Sequence, residues 1–117
     1  MKDRDDKVYL KDILESIDHI EDFIGKKTEK EFTSNLLLQD AVTRRFEIIG
    51  EAVSKISSVL RKDNLHIQWG IMKSMRNKLI HEYFGVSPAA IYHTAKNDLP
   101  VVKHQIKKLL KDLKEKR

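Results

Sequence analysis

Apolar side chains recur along this chain at helical rather than strand spacing. Val8, Ile13, Leu14, Ile17, Ile20 and Ile24 recur at helical spacing, with Asp5 or Asp6 placed to cap the helix and Gly25 to stop it. Thr28 followed by Glu31 has the spacing of a capping box, which predicts a short turn of helix before Asn35. Asn35 in turn caps a long second helix. Its stripe is Leu38, Ala41, Val42, Ile48, Ile49, Ala52, Val53, Ile56, Val59 and Leu60, and it ends near the polar run Arg61-Lys62-Asp63-Asn64.

A third helix is predicted from about Ile67 into Leu79-Ile80. Gly85 and Ser87-Pro88 break it, Ser87 being a good cap and Pro88 an allowed first helical residue. The last segment runs from Pro88 to the tail, and Pro100 should kink or restart it after Asp98, because proline lacks the amide that the helix needs and crowds the turn before it. No repeat, linker or low-complexity stretch interrupts the pattern. The expected fold is all-α, an antiparallel bundle of four main helices plus a short helix, in a single domain over 1–117.

Two positions do not fit a plain bundle. On a helical wheel Arg45 falls at the centre of the second helix's stripe, between Leu38, Val42, Ile49, Ala52 and Ile56, where an uncompensated guanidinium is costly. Either its stem packs on the core while its head snorkels or pairs, or it supports or lines an anion site. In the third helix Ile71, Met72, Met75 and Leu79 form one apolar face, and Trp69 and Ile80 another. A thin strip of Gly70, Ser74, Asn77 and His81 runs between them. That strip faces water, meets another subunit or floors a cleft.

Composition narrows the chemistry. With 117 residues, 40% hydrophobic and 35% charged, four Gly and two Pro, the chain has the profile of a compact helical protein. The absence of cysteine excludes disulfides, thiolate metal sites and cysteine nucleophiles. The charged start and the lack of a long apolar run argue against a secretion signal or a membrane span, so a cytoplasmic location is expected. A formal charge of +5 and a pI near 9.4 favour polyanionic partners without identifying one, and part of the excess is a lysine-rich tail at a helix C-terminus, where the helix dipole favours cations.

The segment Arg76-Asn77-Lys78-Leu79-Ile80-His81-Glu82-Tyr83 gathers an arginine, an imidazole and a phenol where the third helix ends. In an ideal helix His81 would lie about 140° around from Arg76, so the chain must loosen for the two to converge. Such a pair suits phosphodiester cleavage. Histidine moves protons near neutral pH, and the guanidinium stabilises charge on phosphoryl oxygens. RNA supplies its own nucleophile in the 2′-hydroxyl, so the reaction needs a base there and an acid at the departing 5′-oxygen. A two-fold dimer would bring a second His81 and a second Arg76 to the same place.

The stretch from Ala41 to Ala52, then Trp69, Met75 to Val86 and Asn97-Asp98-Leu99-Pro100, closely resembles the HepT-like branch of the HEPN superfamily over nearly the whole chain. Arg76, Asn77, His81 and Tyr83 match that family's Arg-x4-His-x-Tyr motif. The resemblance implies a helical HEPN-like fold, a two-fold homodimer whose paired motifs share a cleft, and metal-independent RNA cleavage without a cofactor. Arg76 and His81 would be catalytic, and Asn77 would orient or contact the phosphate. Tyr83 would be both an active-site residue and the target of a minimal nucleotidyltransferase antitoxin, which neutralises the toxin by adding AMP. Glu82 stands where the family often has a small residue, and a carboxylate there would weaken RNA binding or raise the histidine pKa. The resemblance also admits a non-catalytic HEPN subunit that binds nucleotide or scaffolds a nucleotidyltransferase.

Other candidates are weaker. Glu15, His19 and Asp22 share a helix face, but the paired motifs of di-iron bundles are absent, and a solvated face explains them. His66, His93 and His104 form no constellation, and Glu47 and Glu51 either pair with Arg44 or serve a cleft. A basic helical bundle that only binds nucleic acid is a further alternative, but the chain lacks a recognition-helix pattern and aromatic interleaving.

Overall fold

The computed structural model describes residues 2–74 and 87–115, and among these all regular structure is helical. The helices are α1 (Lys2–Ile24), α2 (Glu29–Thr33), α3 (Leu36–Lys55), α4 (Ser58–Asp63), α5 (helical over residues 69–74), α6 (Pro88–His93) and α7 (Leu99–Glu115). A π-helical turn, Thr94–Asp98, joins α6 to α7.

Helix α1 lies at the centre of the packing, against α3 along its length and against α7. Its inward stripe is Leu10, Ile13, Ile17, Ile20 and Ile24, each no more than 3% exposed. At roughly 1.5–3 kcal/mol for each large aliphatic side chain taken from water, this stripe is a major source of stability. Opposite it stand Val42, Phe46, Ile49 and Val53 of α3 and Leu99, Val102, Ile106 and Leu109 of α7. Side-chain bonds show that both neighbours run antiparallel to α1. Asp6, near its start, meets Ser57 just beyond the end of α3. Near its end, Asp18 and Glu21 meet Lys103 in the first half of α7, at 3.0 and 2.7 Å.

Several local signals read from the sequence are present as hydrogen bonds. Gly25 ends α1 with φ of 49°, a left-handed conformation that a residue with a Cβ adopts only at a cost, and its amide donates to the Glu21 carbonyl. Thr28 and Glu31 form a reciprocal capping box, the amide of each donating to the other's side chain, at 2.9 and 3.2 Å. Asn35 accepts from the Leu38 amide, and Gln39 Nε2 donates to the Phe32 and Thr33 carbonyls, tying α2 to α3. The restart expected after Asp98 is the π-helical turn, in which the Leu99 amide donates to the Thr94 carbonyl. Widening the turn there eases the crowding between the Pro100 ring and the carbonyls before it.

Other expectations need correction. The cap assigned to Asp5 or Asp6 does not form, because α1 begins at Lys2 and carries both within it. Asp6 is buried and accepts from the Ser57 amide at 2.9 Å and the Ser57 hydroxyl at 2.8 Å. The long second helix also stops early. It ends at Lys55, Ile56 is extended, and Ser57 caps α4 by accepting from the Leu60 amide. Asp6 holds that corner, so a long-range contact decides a helix boundary that periodicity carries straight through. In the stripes themselves Leu10 replaces Val8 as a core residue, while Val8 and Val59 are mostly exposed. Helix α5 starts at 69 rather than 67, with Trp69 and Met72 buried and Ile71 exposed.

Replacing Asp6 by Ala should cost about 2–3 kcal/mol in urea unfolding, because it removes two bonds to a carboxylate and leaves the Ser57 amide at a part-buried corner without its acceptor. The capping box gives a pH-dependent signature. Bonds from Thr28 hold the Glu31 carboxyl below its ordinary value of 4.5. Its contribution is therefore complete above that value and is lost as pH falls through the lower folded-state value. The stability gap between wild type and Glu31→Ala, from urea midpoints, should shrink on acidification, and a gap independent of pH would contradict the assignment.

Candidate functional site

Arg76, Asn77, His81 and Tyr83, like Glu82, lie outside the described residues, as do Met75, Leu79 and Ile80 of the expected third-helix faces. The structure describes the two anchors between which this segment is strung. On the entry side, Trp69 is buried and its Nε1 donates to the Asn64 carbonyl at 3.0 Å, while Asn64 Nδ2 returns to the Leu60 carbonyl. Gln105 of α7 bridges the same loop. Its Oε1 accepts from the Gln68 amide and its Nε2 donates to the His66 carbonyl, at 3.3 and 3.0 Å. With Met72 buried below them, these bonds seat the start of α5 against α4 and α7.

On the exit side Ser87 Oγ accepts from the Ala89 amide, with Pro88 in the first turn of α6 as its fixed φ permits. Ile91 is buried. The Tyr92 hydroxyl donates to the Lys27 carbonyl at 2.7 Å while its ring lies 5.6 Å from that of Phe32, which is fully buried. His93 Nε2 stands 2.7 Å from Glu29 Oε1. The chain that leaves the motif is thus fastened to the corner between α1 and α2.

Arg45 is not where the wheel placed it. Thr43, Phe46 and Gly50 are buried as well as Val42, Ile49 and Val53, so the buried arc of α3 is centred near Val42 and Val53. Arg45 sits about 70° from that centre. It is half-buried beside half-buried Ala41 and Ile48, and it makes no ion pair among the described residues. An aromatic and two small residues, passed over in the sequence, shift the core-facing side and leave the guanidinium at its edge. That position suits a packed stem with a free head.

The remaining candidates are also placed. Glu15 and Asp22 are exposed, and half-buried His19 is 3.9 Å from Glu15 with its ring 5.9 Å from Phe23, so these residues belong to a mostly solvated face. Among the described residues no three His, Asp or Glu side chains gather to hold a metal. His66, His93 and His104 are exposed. Arg44 approaches Glu47 at 4.0 Å, whereas Glu51 makes no ion pair among the described residues. A cavity of about 240 Å³, which periodicity does not announce, opens where the end of α1 meets the π-helical turn, lined by Ile20, Glu21, Ile24, Gly25, Lys96 and Pro100. Gly25, the helix stop, and Pro100, the kink or restart, meet at its rim. No helix among the described residues is long and apolar enough to cross a membrane.

Comparison with known proteins places the chain. The family model described as "Ribonuclease HepT-like" matches residues 13–109, a span that contains Arg76, Asn77, His81 and Tyr83. The chain is 42% identical over 116 residues to "Putative RNase MJ0125" of Methanocaldococcus jannaschii, covering 99% of this chain and all of that protein. It is 41% identical over 108 residues to "Probable ribonuclease HepT" of Thermococcus cleftensis, covering 92% of this chain and 98% of the other. It is also 43% identical over 110 residues to "Gamma-glutamylcyclotransferase and putative RNase MJ0434" of M. jannaschii, where it covers 94% of itself but spans only half of the longer protein. No solved structure matches significantly. On a family match across most of its length and on relatives of this similarity, the chain belongs to the HepT-like family of the HEPN superfamily.

Proposed function

We propose that this chain is an endoribonuclease that cleaves RNA without a metal, and that it acts as the toxin of a toxin–antitoxin pair. The observation that carries the reading is the family match across residues 13–109 together with Arg76, Asn77, His81 and Tyr83 at the family's spacing within it. The ribonuclease names of relatives at 41–42% identity support it.

The chemistry follows from the residue types. A base removes the proton of the RNA 2′-hydroxyl, whose oxygen attacks the adjacent phosphorus. The bond to the 5′-oxygen breaks and an acid protonates that oxygen, leaving a 2′,3′-cyclic phosphate and a 5′-hydroxyl end. Imidazole serves as base when neutral and as acid when protonated. Two such groups are needed, and a homodimer with two-fold symmetry provides them as His81 of each protomer. Arg76 offsets the charge that develops on the phosphoryl oxygens, and Asn77 orients the phosphate. Each chain acts as one HEPN domain of the cytoplasm, with its helices antiparallel about α1. Arg45, at the edge of the buried face of α3 with its head unclaimed among the described residues, is a supporting cation for the same cleft.

Silencing has a physical logic. A nucleotidyltransferase antitoxin transfers AMP from ATP to the Tyr83 hydroxyl and releases pyrophosphate. The ester places bulk and negative charge two residues from His81, where substrate phosphate must sit, so it opposes RNA sterically and electrostatically.

His81→Ala should lower RNA cleavage in EDTA by roughly 10²–10⁴-fold while leaving far-UV circular dichroism and the unfolding midpoint unchanged. Cleavage that survives the substitution would reject the catalytic assignment of His81, whereas an unsubstituted chain that cuts no RNA would favour a subunit that only binds or scaffolds. After incubation with the nucleotidyltransferase and ATP, mass spectrometry should find one added AMP on the peptide containing Tyr83 and none on Tyr83→Phe. Mass added elsewhere would defeat the modification proposal.

A further inference from the structure

The charge of the described surface is strongly uneven. Helix α1 carries eight carboxylates against four cations, while α7 carries five lysines against two carboxylates. Among the described residues only Lys103 of the five is neutralised, by Glu21 and Asp18 of α1, and those bonds raise its pKa. Lys107, Lys108, Lys111 and Lys114 are exposed and make no ion pair among the described residues. Together with exposed His104 they follow helical spacing along one side of α7, in a row about 15 Å long. The opposite side, Val102, Ile106, Leu109 and Leu110, is buried on the core.

The helix dipole does not account for this row. It favours cations only within the last turn, whereas Lys107 and Lys108 lie about two turns from the end of α7 at Glu115. Nor does local pairing, since Asp112, four residues beyond Lys108, forms no ion pair with it. The apolar side of α7 is spent in the core, which leaves it nothing to insert into a lipid surface.

We infer that the solvent face of α7, formed by Lys107, Lys108, Lys111 and Lys114, is a docking surface for the phosphate backbone of RNA, made of residues other than those of the cleavage motif. The inference rests on the ribonuclease reading for the identity of the polyanion. Four mobile ammonium groups on a rigid helix engage phosphates without reading bases, and the acidic α1 turns a polyanion away from its own face. Such a surface raises affinity and on-rate and leaves the chemical step to the motif.

The test uses the full chain carrying His81→Ala, so that RNA stays intact, and a fluorescein-labelled single-stranded RNA of mixed sequence followed by anisotropy. Combined Lys107→Gln, Lys108→Gln, Lys111→Gln and Lys114→Gln should weaken binding by roughly tenfold or more and lower the slope of log affinity against log salt by up to about 3. The same four positions changed to Arg should keep both, which separates lost charge from lost structure. An unchanged affinity and slope in the Gln variant would overturn the proposal. So would tighter capture of the chain by phosphatidylserine vesicles than by the RNA. Cleavage by the chain with His81 intact is assayed beside it. If that chain cuts nothing while the lysines still govern RNA binding, the surface stands and the ribonuclease reading falls.

Discussion

Burial of one amphipathic stripe, Leu10 to Ile24 on α1, organises the rest of the molecule. The stripe is covered on one side by α3 and on another by α7, so neither partner helix has a complete core without it. Polar bonds fix the register of each pairing. Asp6 against Ser57 fixes α3 at one end of α1, and Lys103 against Asp18 and Glu21 fixes α7 toward the other. Hydrophobic burial is non-directional, and these few bonds decide how far each helix slides along the next.

That framework fixes the chain on both sides of the segment to which the chemistry is assigned by proposal. Gln105 and Trp69 hold the chain where it enters, and Ser87, Tyr92 and His93 hold it where it leaves. The anchors belong to different parts of the framework, α7 with α4 on one side and the corner of α1 and α2 on the other. Positioning groups for proton transfer requires this kind of support, because a displacement of an ångström between acid, base and phosphate removes much of the rate.

Much of the fold was legible because local rules governed it. Gly25, the Thr28–Glu31 box, Asn35, Ser87 and the break at Asp98 each act through bonds reaching a few residues along the chain, and each is where the sequence places it. The failures share a different cause. Asp6 reads as a cap locally but bonds to a residue 51 positions away, and the same bond ends the α3 run before α4. The buried side of α3 is set by what packs on it, so Phe46, Thr43 and Gly50 moved the arc and left Arg45 at its margin. The candidate site rests on residue types and spacing in Arg76 to Tyr83, which lie outside the described residues. The sequence places the lysines of α7 at a helix C-terminus, where the dipole favours cations, but it does not show that Lys107 and Lys108 are exposed two turns from the helix end.

The central claim is that RNA breaks itself through its own 2′-oxygen, with the protein supplying proton transfer and positive charge. The most direct measurement is cleavage, in the presence of a chelator, of an RNA oligonucleotide with a single preferred cut, beside one with a 2′-deoxy sugar at that position. The account predicts 2′,3′-cyclic phosphate and 5′-hydroxyl ends from the first and an intact bond in the second. Cutting at the deoxy position, or products with 5′-phosphate ends, would show that water or another nucleophile attacks and would contradict it.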